Sequence, residues 1–98
     1  MSFAEFQAAD RRLVLLRALE AAAQYRANAF LLRRYCDSLG HVAGADVIAR
    51  DLAHLAGLGL LELEQTGDVM VATLTVRGLD VATGRTEVPG VAKPAPGY

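Results

Sequence analysis

The sequence has few of the residues that carry covalent or metal chemistry. It contains one cysteine, two histidines and no tryptophan. The single cysteine, Cys36, excludes an intramolecular disulfide and fits a reducing compartment. The spacing of Cys36, His41 and His54 matches no compact zinc motif, so we expect neither a metal site nor a cofactor. The same residues lack an orienting third group and an oxyanion hole, so we assign no catalytic residue and expect no enzyme activity.

Long apolar runs are also missing. No segment approaches the roughly 20 apolar residues that span a bilayer, and residues 1–5 lack the basic start of a signal peptide. We therefore expect a cytoplasmic protein with no membrane partner. Apolar material for a core is nevertheless abundant, since 53% of the 98 residues are hydrophobic, and this length suits one domain.

The first helix is predicted from Ser2 to about Gln24, because a glutamate follows Ser2 at the spacing of a capping box. Residues 13–16 of this helix read Leu-Val-Leu-Leu. At about 100° per residue, four consecutive apolar side chains point in every direction around the axis. We therefore expect Val14 and Leu15 to form part of a dimer interface; the alternative is one exposed leucine.

The second helix is predicted from Asn28, a good N-cap, to about Leu39, after a short connection at residues 25–28. Gly40 can end it by adopting positive φ. Its predicted inward stripe has apolar residues at steps of three and four: Leu31, Leu32, Tyr35 and Leu39. Arg33 and Arg34 then lie mostly outside the stripe.

The third helix is predicted from Ala45 to about Leu58. A buried stripe with helical spacing consists of Ile48, Leu52 and Leu55. The outward positions are Asp46, Ala49, Arg50, Ala53 and His54. Arg50 is the best candidate for reading a guanine edge, and pairing with Asp46 is the alternative.

After Gly59 the apolar period changes to two, which predicts two antiparallel strands joined at Thr66-Gly67-Asp68. Thr75 can cap a short last helix that ends near Gly84. The order of elements predicts an α+β, mainly α fold, the winged helix-turn-helix: a three-helix core, a two-stranded antiparallel wing and a short C-terminal helix. The domain spans residues 1–84, and residues 85–98, rich in proline and glycine, form an extended tail.

Four stretches carry a resemblance to a known family: Tyr25-Arg26-Ala27-Asn28, Leu58-Gly59-Leu60-Leu61, the segment from Val71 to Ala82, and Val88-Pro89-Gly90-Val91. They resemble the small winged-helix proteins of Mu-like tailed phages and prophages, which are often likened to ArsR-type regulators. The resemblance covers nearly the whole chain. Its Leu-Thr-x-Arg-Gly part also occurs in MarR-type regulators and indicates the fold alone.

The resemblance implies a phage-encoded helix-turn-helix protein without enzyme activity. With the apolar first helix as a dimer interface, we expect a transcriptional regulator that binds double-stranded DNA as a homodimer in the cytoplasm of the bacterial host. The third helix would enter the major groove, and the wing would contact backbone or minor groove. With the arginines around the second helix and the tip of the wing, the predicted DNA-binding set is Arg26, Asn28, Arg33, Arg34, Ala45, Asp46, Ala49, Arg50, His54 and Thr66.

The distribution of charge favours a different function. Net charge is −1, but residues 1–44 carry six arginines and four acidic residues, whereas residues 45–84 carry two arginines and six acidic residues. DNA affinity rests largely on lysine and arginine contacts to phosphate. The alternative function is therefore a protein-interaction module, in which the acidic wing and an apolar first helix bind a phage or host protein.

Overall fold

The chain forms four α-helices and one three-stranded antiparallel sheet in the computed structural model, which describes residues 2–95. The helices are α1 (Phe3–Ala21), α2 (Ala29–Ser38), α3 (Ala45–Gly57) and α4 (Val76–Ala82). The strands are β1 (Arg26–Asn28), β2 (Leu61–Thr66) and β3 (Val69–Leu74). A 3-10 turn at Ala23–Tyr25 joins α1 to β1. The fold is therefore α+β and mainly helical.

Three helices begin at the side-chain caps that the sequence predicts. The Ser2 hydroxyl accepts from the Glu5 amide at 3.1 Å, and the Asn28 side chain accepts from the Leu31 amide at 2.8 Å. The Thr75 hydroxyl accepts from the amide of the residue three positions later at 3.0 Å. Each cap gives a partner to one of the amides that the first helical turn leaves free.

The strand order in the sheet is β1-β3-β2. The predicted hairpin is formed by β2 and β3, which are joined by a two-residue turn with Gly67 at φ +61°. Residues 25–28 are predicted as a short connection, but they contain a third strand, because Arg26–Asn28 pairs with the free edge of β3, with Ala27 opposite Ala72. Three residues are too few to show a two-residue period in the sequence.

The core surrounds α1, which contacts α2, α3, α4 and β3. Its run of four apolar residues is entirely buried, and Val14 and Leu15 are only 3% and 0% exposed. The prediction that Val14 and Leu15 form a dimer interface is therefore wrong. A helix packed on several sides by its own chain can bury apolar groups all around its axis.

The inward side of α2 differs from the predicted stripe. Leu32 and Cys36 are buried, whereas Leu31, Tyr35 and Leu39 are 53%, 46% and 52% exposed. Both sets of residues have helical spacing, so the period alone could not decide which one faces α1 and α3. The second helix consequently carries an apolar surface toward solvent.

The tail packs on α1. Residues 85–95 contain turns and bends but no helix or strand. The Ala92 amide donates to the Ala9 carbonyl at 3.0 Å, and the Val88 side chain is only 9% exposed within the core. The last three residues of the predicted tail lie outside the described residues. Within residues 2–95, no helix has the length and apolarity needed to cross a membrane.

Candidate nucleic-acid interface

The outward side of α3 is the surface that the sequence predicts for DNA. Asp46 and Arg50 project from it with side chains that are 82% and 77% exposed, and Ala45 and His54 are exposed as well. Ala49 is half-buried. The opposite side carries the predicted stripe, with Ile48, Leu52 and Leu55 buried. The predicted orientation of this helix is confirmed at the buried stripe.

Arg50 and Asp46 face each other along the exposed ridge of α3. Their closest nitrogen and oxygen atoms lie 3.9 Å apart, at the limit of an ion pair, and no hydrogen bond joins them among the described contacts. An exposed pair at this helical spacing is worth about 0.5 kcal/mol or less. The Arg50 guanidinium can therefore exchange this partner for a base edge or a phosphate at little cost.

Asp51 is the charged residue that the sequence analysis missed. Its side chain is 4% exposed and accepts from Arg11 and Arg12 of α1, with Arg12 Nε 3.1 Å from Asp51 Oδ1. Burying a carboxylate is costly unless it is paired and hydrogen-bonded, and two guanidinium groups meet this requirement. One feature of the sequence could have indicated that Asp51 is buried: it lies three residues after Ile48, at the edge of the buried stripe of α3.

The arginines of α2 lie beside the start of α3. Arg33 shares a shallow pocket with Ala45 and the Phe30 ring, and the guanidinium carbons of Arg33 and Arg34 lie 5.7 and 5.8 Å from the centre of that ring. These distances are within the range of cation–π contacts. The ring therefore holds two positive charges near the first turn of α3.

The side chains of the remaining residues predicted to contact DNA already interact with other groups of the protein. Arg26 lies 3.6 Å from the Glu64 carboxylate of β2, and the Asn28 side-chain oxygen is occupied as the cap of α2. The Thr66 hydroxyl lies 3.4 Å from the same Glu64 side chain. Glu62, Glu64 and Asp68 are all exposed. The β2-β3 hairpin consequently presents negative charge to solvent.

A relative in a phage shares most of this chain. The uncharacterized protein gp26 of Escherichia phage Mu is 41% identical over 87 residues, which cover 89% of this chain and 90% of gp26. The chain belongs to the phage Mu gp26 family. A protein of Haemophilus influenzae is 38% identical over 95 residues, covering 91% of this chain and 92% of that protein. No protein-family profile matches the gp26-family chain, and no solved structure matches it significantly.

Cys36 and His41 of this gp26-family chain lie away from the exposed side of α3, on which His54 is found. Cys36 is buried, and burial raises the pKa of its thiol to about 11, with Arg11 lowering and Asp51 raising it to smaller extents. His41 Nε2 lies 2.7 Å from a carboxylate oxygen of Asp10. No cluster of three His, Cys, Asp or Glu side chains in residues 2–95 is arranged to hold a metal ion.

Proposed function

We propose that this gp26-family protein is a non-enzymatic winged helix-turn-helix protein that binds double-stranded DNA and regulates transcription of phage genes. The order α1-β1-α2-α3-β2-β3, with β1 paired to the outer edge of β3, supports this assignment. In such a fold, α2 and α3 form the helix-turn-helix and the β2-β3 hairpin forms the wing. The sequence relationship to phage Mu gp26 supports the phage setting.

The observation that carries the proposal is the surface of α3 between two groups of arginines. On the α2 side lie Arg33 and Arg34, and on the α1 side lie Arg11 and Arg12. The ridge between them carries three alanines, Ala45, Ala49 and Ala53, together with Asp46, Arg50 and His54. Small side chains allow a helix to enter the major groove closely, and arginine is the residue that most often reads guanine there.

The acidic wing sets a limit on affinity. The exposed carboxylates of Glu62, Glu64 and Asp68 repel a phosphate backbone that approaches the hairpin. We therefore expect the helices to supply the favourable contacts and each subunit to bind weakly. A homodimer would join two α3 helices on one DNA and raise the effective affinity through the second binding event.

Anisotropy of a fluorescein-labelled duplex tests the α3 surface. Arg50→Ala removes the expected base contact and should weaken binding by about 1–3 kcal/mol, whereas the double variant Arg33→Ala/Arg34→Ala should also flatten the salt dependence. Arg85→Ala is the matched control, because it removes one exposed positive charge from the start of the tail. Equal affinities for all four proteins would contradict docking of α3 into the groove.

A second candidate function is supported by the exposed apolar surface. Large apolar side chains are 46% to 75% exposed on α2, at its C-cap and on the first two turns of α1: Phe3, Phe6, Leu31, Tyr35 and Leu39. Several large exposed apolar side chains on neighbouring helices often mark a protein interface. We propose that this surface, and not the buried centre of α1, would contact a second copy of the chain or a phage or host protein.

A further inference from the structure

We propose that a concave pocket between α1 and α3 binds a phosphate group of the DNA backbone through Arg12 and His54. The pocket has a volume of about 340 Å³. It is lined by six side chains: Arg11, Arg12, Val47, Arg50, Asp51 and His54. The inference rests on the proposed function, since the phosphate belongs to the duplex that α3 would read.

The charge of the lining selects an anion. Three arginines and one histidine face a single carboxylate, Asp51. That carboxylate is 4% exposed and already accepts from both Arg11 and Arg12. The three arginines and the one aspartate therefore give the lining a net charge of +2, even with a neutral histidine. Guanidinium groups bind phosphate through charge-assisted, often bidentate hydrogen bonds.

Arg12 is held in place while keeping free donors. Its Nε donates to Asp51 Oδ1 at 3.1 Å, and its Nη1 donates to the Gly90 carbonyl at 2.9 Å. A guanidinium has five N–H donors, so the two fixed contacts leave others for a ligand. The group is oriented before a ligand arrives, which lowers the entropy that binding would cost.

His54 lies close enough to share a phosphate with Arg12. A side-chain carbon built on Gly90 would lie 3.4 Å from both Arg12 Nη1 and His54 Nε2, so these nitrogens are at most twice that distance apart. Two donors at this separation can each contact a different oxygen of one phosphate. His54 is exposed, and its side chain forms no hydrogen bond among residues 2–95.

Arg50 lies at the rim of the pocket. Its exposed guanidinium has only the long contact to Asp46, so it stays available for the base contact while adding positive charge beside the pocket. The pocket lies along the side of α3 that faces α1, whereas Arg33 lies beside Ala45 on the side that faces α2. Phosphates of the two DNA strands border a helix in the major groove on its two sides. The two arginine groups match this arrangement.

The salt dependence of duplex binding tests the site with two variants. Arg12→Gln should reduce the slope of log K against log salt by about one unit, because one phosphate contact is lost. His54→Ala should weaken binding about tenfold. Because His54 is exposed, this variant should fold, and it therefore tests the site even if Arg12→Gln is unstable. Arg85→Gln is the control. Unchanged affinity and slope in both variants of a protein that still binds DNA would overturn the site.

An amide NMR titration with inorganic phosphate separates the site from the proposed function. The site predicts shifts centred on Gly90 and His54 that saturate with phosphate and disappear in Arg12→Gln. Such shifts in a protein that binds no duplex would assign the pocket to free phosphate and overturn the DNA backbone as its ligand. Shifts spread over the surface, or none at all, would overturn the pocket even if the protein binds DNA.

Discussion

Arg12 of α1 and Asp51 of α3 are joined by a hydrogen bond of 3.1 Å between Nε and Oδ1. The same arginine donates to the carbonyl of Gly90, so one side chain connects the central helix, the proposed DNA-reading helix and the tail. Arg11 adds a second guanidinium to the Asp51 carboxylate. This cluster fixes the position of α3 on α1, and it also places positive charge beside the surface that would contact DNA.

Asp51→Ala should lower the free energy of unfolding by about 3 kcal/mol, because it leaves two partly buried guanidinium groups without their carboxylate. The measurement is urea denaturation followed by circular dichroism. Asp46→Ala, on the same helix but with an 82% exposed side chain, should change stability by less than about 0.5 kcal/mol. Equal effects of the two substitutions would show that the cluster does not hold α3.

Gly78→Ala should destabilise the protein by about 3 kcal/mol or prevent folding. A side-chain carbon at this position would lie 1.9 Å from the Leu60 carbonyl oxygen, and neither backbone segment can shift without disturbing α4 or β2. Gly57→Ala is the matched control, because nothing lies within 4 Å of its added carbon and its backbone is helical. We expect this control to raise the thermal midpoint slightly. A folded and stable Gly78→Ala protein would contradict the close approach of α4 to Leu60.

Leu15→Glu should unfold the protein, whereas Leu31→Glu should leave the fold intact. Leu15 is 0% exposed, so a glutamate there would place a charge in the core, while Leu31 is 53% exposed. Circular dichroism reports the fold, and sedimentation reports the oligomeric state. If the protein is a dimer through the apolar surface of α2, Leu31→Glu should produce folded monomers. If Leu15→Glu instead gave a folded monomer, the dimer interface would lie at the centre of α1, and this prediction would be contradicted.

Cys36 should resist alkylation in the folded protein. Its thiol is buried and its pKa is raised to about 11, so little thiolate forms near pH 8. In the unfolded chain the Cys36 thiol has its ordinary pKa of 9.0. Between pH 9 and about 11 the thiol is therefore more fully protonated in the folded state than in the unfolded state. Rising pH should therefore lower stability in this range, and Cys36→Ala should lose that part of the dependence. Mass spectrometry after iodoacetamide treatment checks the first expectation; rapid labelling of folded protein at pH 8 would contradict it.

Local signals predicted most of the helices and the hairpin. The side-chain caps at Ser2, Asn28 and Thr75, and the spacing of the buried stripe in α3, depend on residues close together in the sequence. Such features can be predicted from residue types and periods alone. The pairing of β2 with β3 follows in the same way, because a two-residue turn connects them.

The features that the sequence did not predict depend on distant partners. β1 forms by pairing with the edge of β3, which lies about 45 residues later in the sequence. Asp51 can be buried because Arg11, 40 residues earlier, neutralises its charge. The burial of Val14 and Leu15 likewise depends on how many elements pack around α1. Of the candidate site, the exposed ridge of α3 was predicted, whereas the pocket with Arg12 was not.

A mobility-shift assay over a salt series tests DNA binding by this gp26-family protein most directly. The duplexes are random-sequence DNA and fragments of the parent phage and host genomes. The proposal predicts binding that weakens steeply with salt and favours one fragment over random DNA. Absence of binding to every duplex at low salt would contradict it and would favour the acidic hairpin and the exposed apolar surface of α2 as a protein interface.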